Sequence, residues 1–135
     1  QSSDSGSFLL GAVLVLEDEI VGEGFNQPIA LHDPTAHAEI LALRDAGARL
    51  GAYRLPGSTM FVTLEPCPMC VGAMIHARVE RVVFAASDAK TGAFGGAMSL
   101  HQDPKHNHRI AVEGVLEAER ASAMLREFFR ARRRT

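Results

Sequence analysis

Thr59-Met60-Phe61-Val62-Thr63-Leu64-Glu65-Pro66-Cys67-Pro68-Met69-Cys70 is the stretch whose reading decides the fold. Its first six residues form a short apolar run bounded by Pro56-Gly57 upstream and Pro66 downstream, which reads as a strand over Thr59–Leu64. From Cys67-Pro68 onward, Val71, Met74 and Ile75 recur at helical spacing, so a helix begins there and extends to about Arg78. A further strand is expected at about Arg81–Ala86. Strand, helix and strand in succession imply a layered α/β domain.

Upstream, Leu9–Leu16 reads as a strand, Glu17-Asp18-Glu19 as a turn and Ile20–Gly24 as a second strand, together an antiparallel hairpin. A loop, Gly24 to Pro28, follows. Asp33-Pro34-Thr35 has the form of a helix start, a capping side chain followed by a proline whose missing N–H costs nothing in the first turn. That helix is expected to run to about Ala46, stopped by Gly47, with Ala36, Ile40, Leu41 and Leu43 on its buried side. Downstream, the Gly- and His-containing segment Ser87–Arg109 is too long for a simple connection and reads as functional. A fifth strand near Ile110–Val115 and a helix from Glu117 to about Arg133 complete the pattern. Residues 1–7 read as a flexible lead-in or a remnant of expression, and residues 8–135 as a single domain.

Composition narrows the class without naming a function. A chain of 135 residues, 47% hydrophobic and 22% charged, has the size and make-up of one globular domain. Its longest apolar stretch, Phe8–Leu16, is far shorter than the roughly 20 residues that cross a bilayer, so no membrane segment is expected. The two cysteines, Cys67 and Cys70, are so close that a disulfide would remove little chain entropy. Thiolate chemistry in a reducing cytoplasm is the better reading. The net charge of −2 does not by itself suggest a nucleic-acid partner. Five arginines nevertheless crowd the last ten residues, either as a solubilising helix end that complements the dipole or as a phosphate-binding patch.

Two short motifs carry the chemistry: His37-Ala38-Glu39 and Pro66-Cys67-Pro68-Met69-Cys70, each at an expected helix start. A helix N-terminus presents positive partial charge, which favours the thiolate form that binds metal. Spacing of i, i+3 puts both sulfurs on one helical face. One imidazole and two thiolates are zinc ligands, and three protein ligands leave a tetrahedral position for water, as catalytic sites require. Glu39, two residues from the histidine, is placed to take the proton of such a water. An isolated H-x-E arises readily by chance, and an isolated C-x-x-C also suits a redox pair or part of a four-ligand structural site. That last option needs a further protein ligand; there is no third cysteine, and His32, His76 or His108 could serve only by accident of folding. Together the two motifs match the signature of zinc-dependent nucleobase deaminases.

The chain also resembles the bacterial tRNA-specific adenosine deaminases well beyond the metal motif. The resemblance runs through Gly11–Val15, Gly22–Asn26, His32–Ile40, Val62–Cys67, Gly72–His76, Asp88–Ala93, Asn107-His108-Arg109 and Phe128-Phe129. It implies a cytidine-deaminase-like three-layer α/β domain, a five-stranded mixed sheet with helices packed on both faces. It further implies one zinc ion per subunit and a homodimer. The implied reaction is hydrolytic deamination, at C6, of the wobble adenosine in a tRNA anticodon stem-loop. That base would be splayed out of the loop to be reached. Carried over residue by residue, His37, Cys67 and Cys70 hold the metal and Glu39 moves protons. Asn26 hydrogen-bonds the flipped base, Pro28 and Leu64 shape the pocket, and Asp88 and Lys90 lie along an RNA-contacting loop. Phe129 approaches the RNA or the pocket mouth, and Arg132 and Arg133 contact phosphate.

The sequence departs from the family pattern in two places. The family usually places a helix before its first strand, where this chain has seven polar residues and then Phe8-Leu9-Leu10. Phe94-Gly95-Gly96 is unusual in the segment after Asp88. The metal motif is shared with deaminases of free guanine or cytosine, so it leaves that alternative open; the Asp88–Ala93 segment and the arginine-rich end favour RNA. A noncatalytic RNA-binding protein with structural zinc is the other alternative, and an intact Glu39 argues against it.

Overall fold

In a computed structural model, residues 11–86, 92–93 and 110–113 are described. Strands β1 (Gly11–Leu16) and β2 (Glu19–Phe25) form the hairpin, followed by helix α1 (Ala38–Leu50), strand β3 (Thr59–Leu64), helix α2 (Pro68–His76), and strands β4 (Arg81–Ala86) and β5 (Ala111–Glu113). The sheet order is β2-β1-β3-β4-β5. Its first three strands are antiparallel neighbours, whereas β3, β4 and β5 run parallel. The expected mixed α/β sheet is present. The start of the first strand, most of Ser87–Arg109, the end of the fifth strand and the last helix lie outside the described residues.

The hairpin turns at Glu17 and Asp18, both with positive φ (53° and 66°), the backbone that matches the twist of the flanking strands. Alternation then sorts the side chains. Ala12, Leu14, Met60, Val62, Val82 and Phe84 share one face with the apolar sides of α1 and α2 in a continuous core. Val13 is buried on the opposite face with Val15, Ile20, Phe25 and Phe61 against it. Leu14, Met60 and Met74 are among the largest fully buried side chains. Truncating such a residue to alanine costs roughly 2–5 kcal/mol.

Helix α1 departs from expectation at both ends. Asp33 does not cap it: the Asp33 carboxylate accepts hydrogen bonds from the Thr35 N–H (2.9 Å) and hydroxyl (2.7 Å), closing a turn on itself. The chain then stays extended through His37, and the helix begins at Ala38. Gly47 does not stop it either, because Ala48, Arg49 and Leu50 continue the helix to Gly51, whose left-handed backbone (φ 65°) ends it. Ala36 and Ile40 are buried as expected, but Leu41 and Leu43 are only half-buried and the small residues Ala38, Ala42 and Ala46 complete the buried stripe. The reason lies in β2. A β-carbon on Gly22 would run into the Ala42 carbonyl and Ala46, and one on Gly24 into the Ala38 carbonyl. Glycine facing alanine lets helix and strand approach closely, which sets the position of the first turn of α1. Helix α2 is two residues shorter than expected, ending where Arg78 turns left-handed (φ 62°).

Candidate active site

Strand β3 ends at Leu64, beside its parallel neighbour β4, and the chain passes through Glu65 and Pro66 into α2. Cys67 is the residue before the first turn of α2, with Pro68 at the first helical position. His37 holds the same place on α1. Neither side chain makes a capping hydrogen bond, so imidazole and sulfur are both directed to other work. The helix starts converge: His37 Nδ1 lies 3.5 Å from Cys67 Sγ and 3.6 Å from Cys70 Sγ, and the sulfurs are 3.8 Å apart.

These separations test whether zinc fits. Zn–S distances of about 2.3 Å and Zn–N distances of about 2.0–2.1 Å at tetrahedral angles put two sulfurs about 3.8 Å apart and each about 3.6 Å from the nitrogen. The triangle has those dimensions and the borderline-soft donor set that zinc prefers. Among the described residues, His37, Cys67 and Cys70 form the group able to hold a metal ion, and neither His32 nor His76 joins it. Three ligands from the described residues would leave one tetrahedral position, the arrangement of a catalytic rather than a closed structural site, and His108 lies outside the described residues.

The electrostatics suit the same purpose. Cys70, fully buried, hydrogen-bonds to the Cys67 sulfur and holds the Cys67 thiol down to about 5, helped by His37. Cys70 is itself pushed up by that hydrogen bond and by burial. One proton is shared between the two sulfurs. Glu39, in the first turn of α1, is only 7% exposed. Burial pushes its carboxyl from the ordinary 4.5 up to about 7, and the neighbouring Cys67 charge acts in the same direction. Cys70 also lies within hydrogen-bonding reach of Glu39.

Of the other residues singled out above, Asn26 is exposed just beyond β2, and Pro28 is half-buried in the turn that follows. The Gln27 N–H donates to the Ala36 carbonyl (2.9 Å), which ties this segment beside the neighbour of His37. Leu64 is the half-buried last residue of β3, on the sheet face that carries the two helices. Asp88, Lys90, Phe129, Arg132 and Arg133 lie outside the described residues. Sequence reasoning missed Glu65, a carboxylate only 3% exposed that packs against Gly92 immediately before the metal-binding turn. Its signal was the acidic residue inside an otherwise apolar run.

The model of the cytidine and deoxycytidylate deaminase zinc-binding region matches residues 1–86. A tRNA-specific adenosine deaminase of Haemophilus influenzae is 50% identical over 129 residues, covering 95% of this chain and 75% of that protein. Among solved structures, one from work on A-to-I editing by tRNA:A34 deaminases at the wobble position superposes with a TM-score of 0.75. It is 41% identical, with 78% of this chain and 81% of that one covered. The guanine deaminase of Bacillus subtilis is similar at 34% identity and a TM-score of 0.59, over 93% of this chain and 80% of that one. The chain belongs to the cytidine and deoxycytidylate deaminase family and, within it, to the tRNA-specific adenosine deaminases.

Proposed function

We propose that this protein hydrolyses adenosine to inosine at the wobble position of a tRNA anticodon. The observation that carries the reading is the His37, Cys67, Cys70 triangle, sized for zinc, with the buried carboxyl of Glu39 beside it. The likeness to tRNA-specific adenosine deaminases supports the choice of substrate.

Zinc held by the three ligands supplies the Lewis acidity that makes water nucleophilic near neutral pH. Glu39 does the proton work. Its carboxylate takes the proton given up by water as the C6–O bond forms and passes it to the ring nitrogen; it then takes the proton of the new C6 hydroxyl and passes it to the amine as the C6 carbonyl forms. The C6–N bond breaks, ammonia leaves and inosine remains. Buried beside the metal ligands, the Glu39 carboxyl is placed to pass protons between water and the base, which a solvated glutamate does poorly. Asn26 hydrogen-bonds the extruded base while Pro28 and Leu64 bound its pocket. Asp88 and Lys90 contact the anticodon loop, Phe129 packs near the pocket mouth, and Arg132 and Arg133 bind phosphate. Residues 8–135 act as one domain of a cytoplasmic homodimer.

Ammonia release from an anticodon stem-loop carrying a wobble adenosine, measured against free adenosine, guanine and cytosine, tests this. Turnover of the stem-loop alone is expected. Turnover confined to a free base would transfer the protein to the activity named for its guanine deaminase neighbour.

A further inference from the structure

Glu65 is the buried ionisable group that the mechanism above does not use. It stands between the end of β3 and Pro66-Cys67 and is only 3% exposed. What it meets is specific. The three atoms nearest to a β-carbon built on Gly92 are the carboxyl carbon and both carboxyl oxygens of Glu65, so the end of the Glu65 side chain would have to shift to admit a side chain there. Gly92 is not in the left-handed region, so what a side chain there would meet is the Glu65 carboxyl and not a backbone restriction. The next residue, Ala93, is fully buried and donates its N–H to the Pro66 carbonyl (2.8 Å). Two consecutive residues, 65 and 66, thus grip two others, 92 and 93, directly upstream of a metal ligand.

We infer that Glu65 is a positioning residue whose carboxyl group is a seat keyed to glycine at position 92. The seat fixes Gly92-Ala93 relative to the metal-binding turn, and through them the binding of the anticodon loop. The inference rests on the substrate reading above, since Asp88–Thr91 leads directly in sequence into Gly92.

The test is a double-mutant cycle between the two positions, made in zinc-loaded protein. Binding of a fluorescein-labelled anticodon stem-loop with a wobble adenosine is read in an E39A background, so that the substrate persists. KM and kcat are read with Glu39 present, and the melting temperature and zinc content of every variant are recorded. With Glu65 present, G92A is expected to raise the stem-loop Kd and KM more than tenfold, to leave kcat within about twofold, and to retain one zinc per chain. With E65A, which vacates the space, adding G92A is expected to change Kd less than twofold and to leave the melting temperature where E65A put it. E65D/G92A, with a shortened acid, is expected to bind better than G92A alone. Equal penalties for G92A in both backgrounds, or no penalty in either, would overturn the inference, as would loss of zinc from G92A. If G92A does not fold, recovery of a cooperative melt in E65A/G92A upholds the seat and its absence overturns it. A parent protein that neither binds nor deaminates the stem-loop would sink the substrate reading, while the coupling in melting temperature would still decide whether the seat exists.

Discussion

His37 and Cys67 hold the same position on two different helices: each is the last extended residue before its helix, and their side chains meet at 3.5 Å. A metal-binding triangle built this way has two helix N-termini directed at it, whose partial positive charge favours the thiolates and the Glu39 carboxylate. Position and charge come from one structural device.

Loss of any ligand should therefore empty the site. H37A, C67A and C70A are each expected to fall from one zinc per chain to well below one by atomic absorption, with ammonia release reduced by at least about a thousandfold. Dialysis against a chelator should abolish turnover in the parent, and added zinc should restore it. Full activity in a zinc-free C67A protein would remove the metal from the reaction.

Glu39 is expected to matter for turnover and not for metal. E39Q keeps the shape and the hydrogen-bonding reach of the side chain but cannot take a proton. Its kcat should drop on the order of 10²–10⁴-fold, with zinc content and stem-loop binding close to parental values.

The same residue makes a prediction about stability. In the metal-free protein the Glu39 pKa rises from 4.5 to about 7 through burial, so the folded state binds this proton more tightly than the unfolded chain does. Stability from this group is fully present below about 4.5 and declines as pH rises toward 7. The change corresponds to up to about 3 kcal/mol by pH 8. Urea melts of metal-free protein should show E39Q more stable than the parent at pH 8 and nearly equal to it at pH 4.5. A parent as stable as E39Q at pH 8 would show that the carboxylate is not desolvated.

Three glycines separate close packing from open space. G22A and G24A drive a methyl group into the backbone of α1 and should each destabilise by about 1–3 kcal/mol or more. In α2, Gly72 has nothing within 4 Å of a built β-carbon, so G72A should gain about 0.5–1 kcal/mol from helix propensity. Denaturant midpoints measure all three. A tolerated G24A would contradict the close approach of α1 to β2.

Much of this was legible in the residues because local pattern and global fold agree. Thr59–Leu64 and Arg81–Ala86 are strands over the spans that apolar pattern and Pro/Gly punctuation specify. The ligands were legible too, since each motif is compact and its chemistry follows from residue type. What failed was local reading of a tertiary requirement. Asp33 and Pro34 look like a helix start, yet the side chain bonds within its own turn and the helix waits until His37 has met the sulfurs. Gly47 looks like a stop, but the propensity of the next three residues outweighs it and Gly51 supplies the left-handed exit. Ala36 and Ile40 are buried as their spacing indicates, but alanines rather than Leu41 and Leu43 complete the stripe of α1 because glycines on β2 allow it. No pattern within a window of sequence could pair Glu65 with Gly92, since that contact joins distant parts of the chain.

X-ray absorption at the zinc edge tests the central claim most directly. Two sulfurs at about 2.3 Å, one imidazole nitrogen and one exchangeable light atom are expected in the loaded protein. A second imidazole, or any fourth protein ligand that persists in H32A and H76A variants, would mean a closed structural site and would contradict the account.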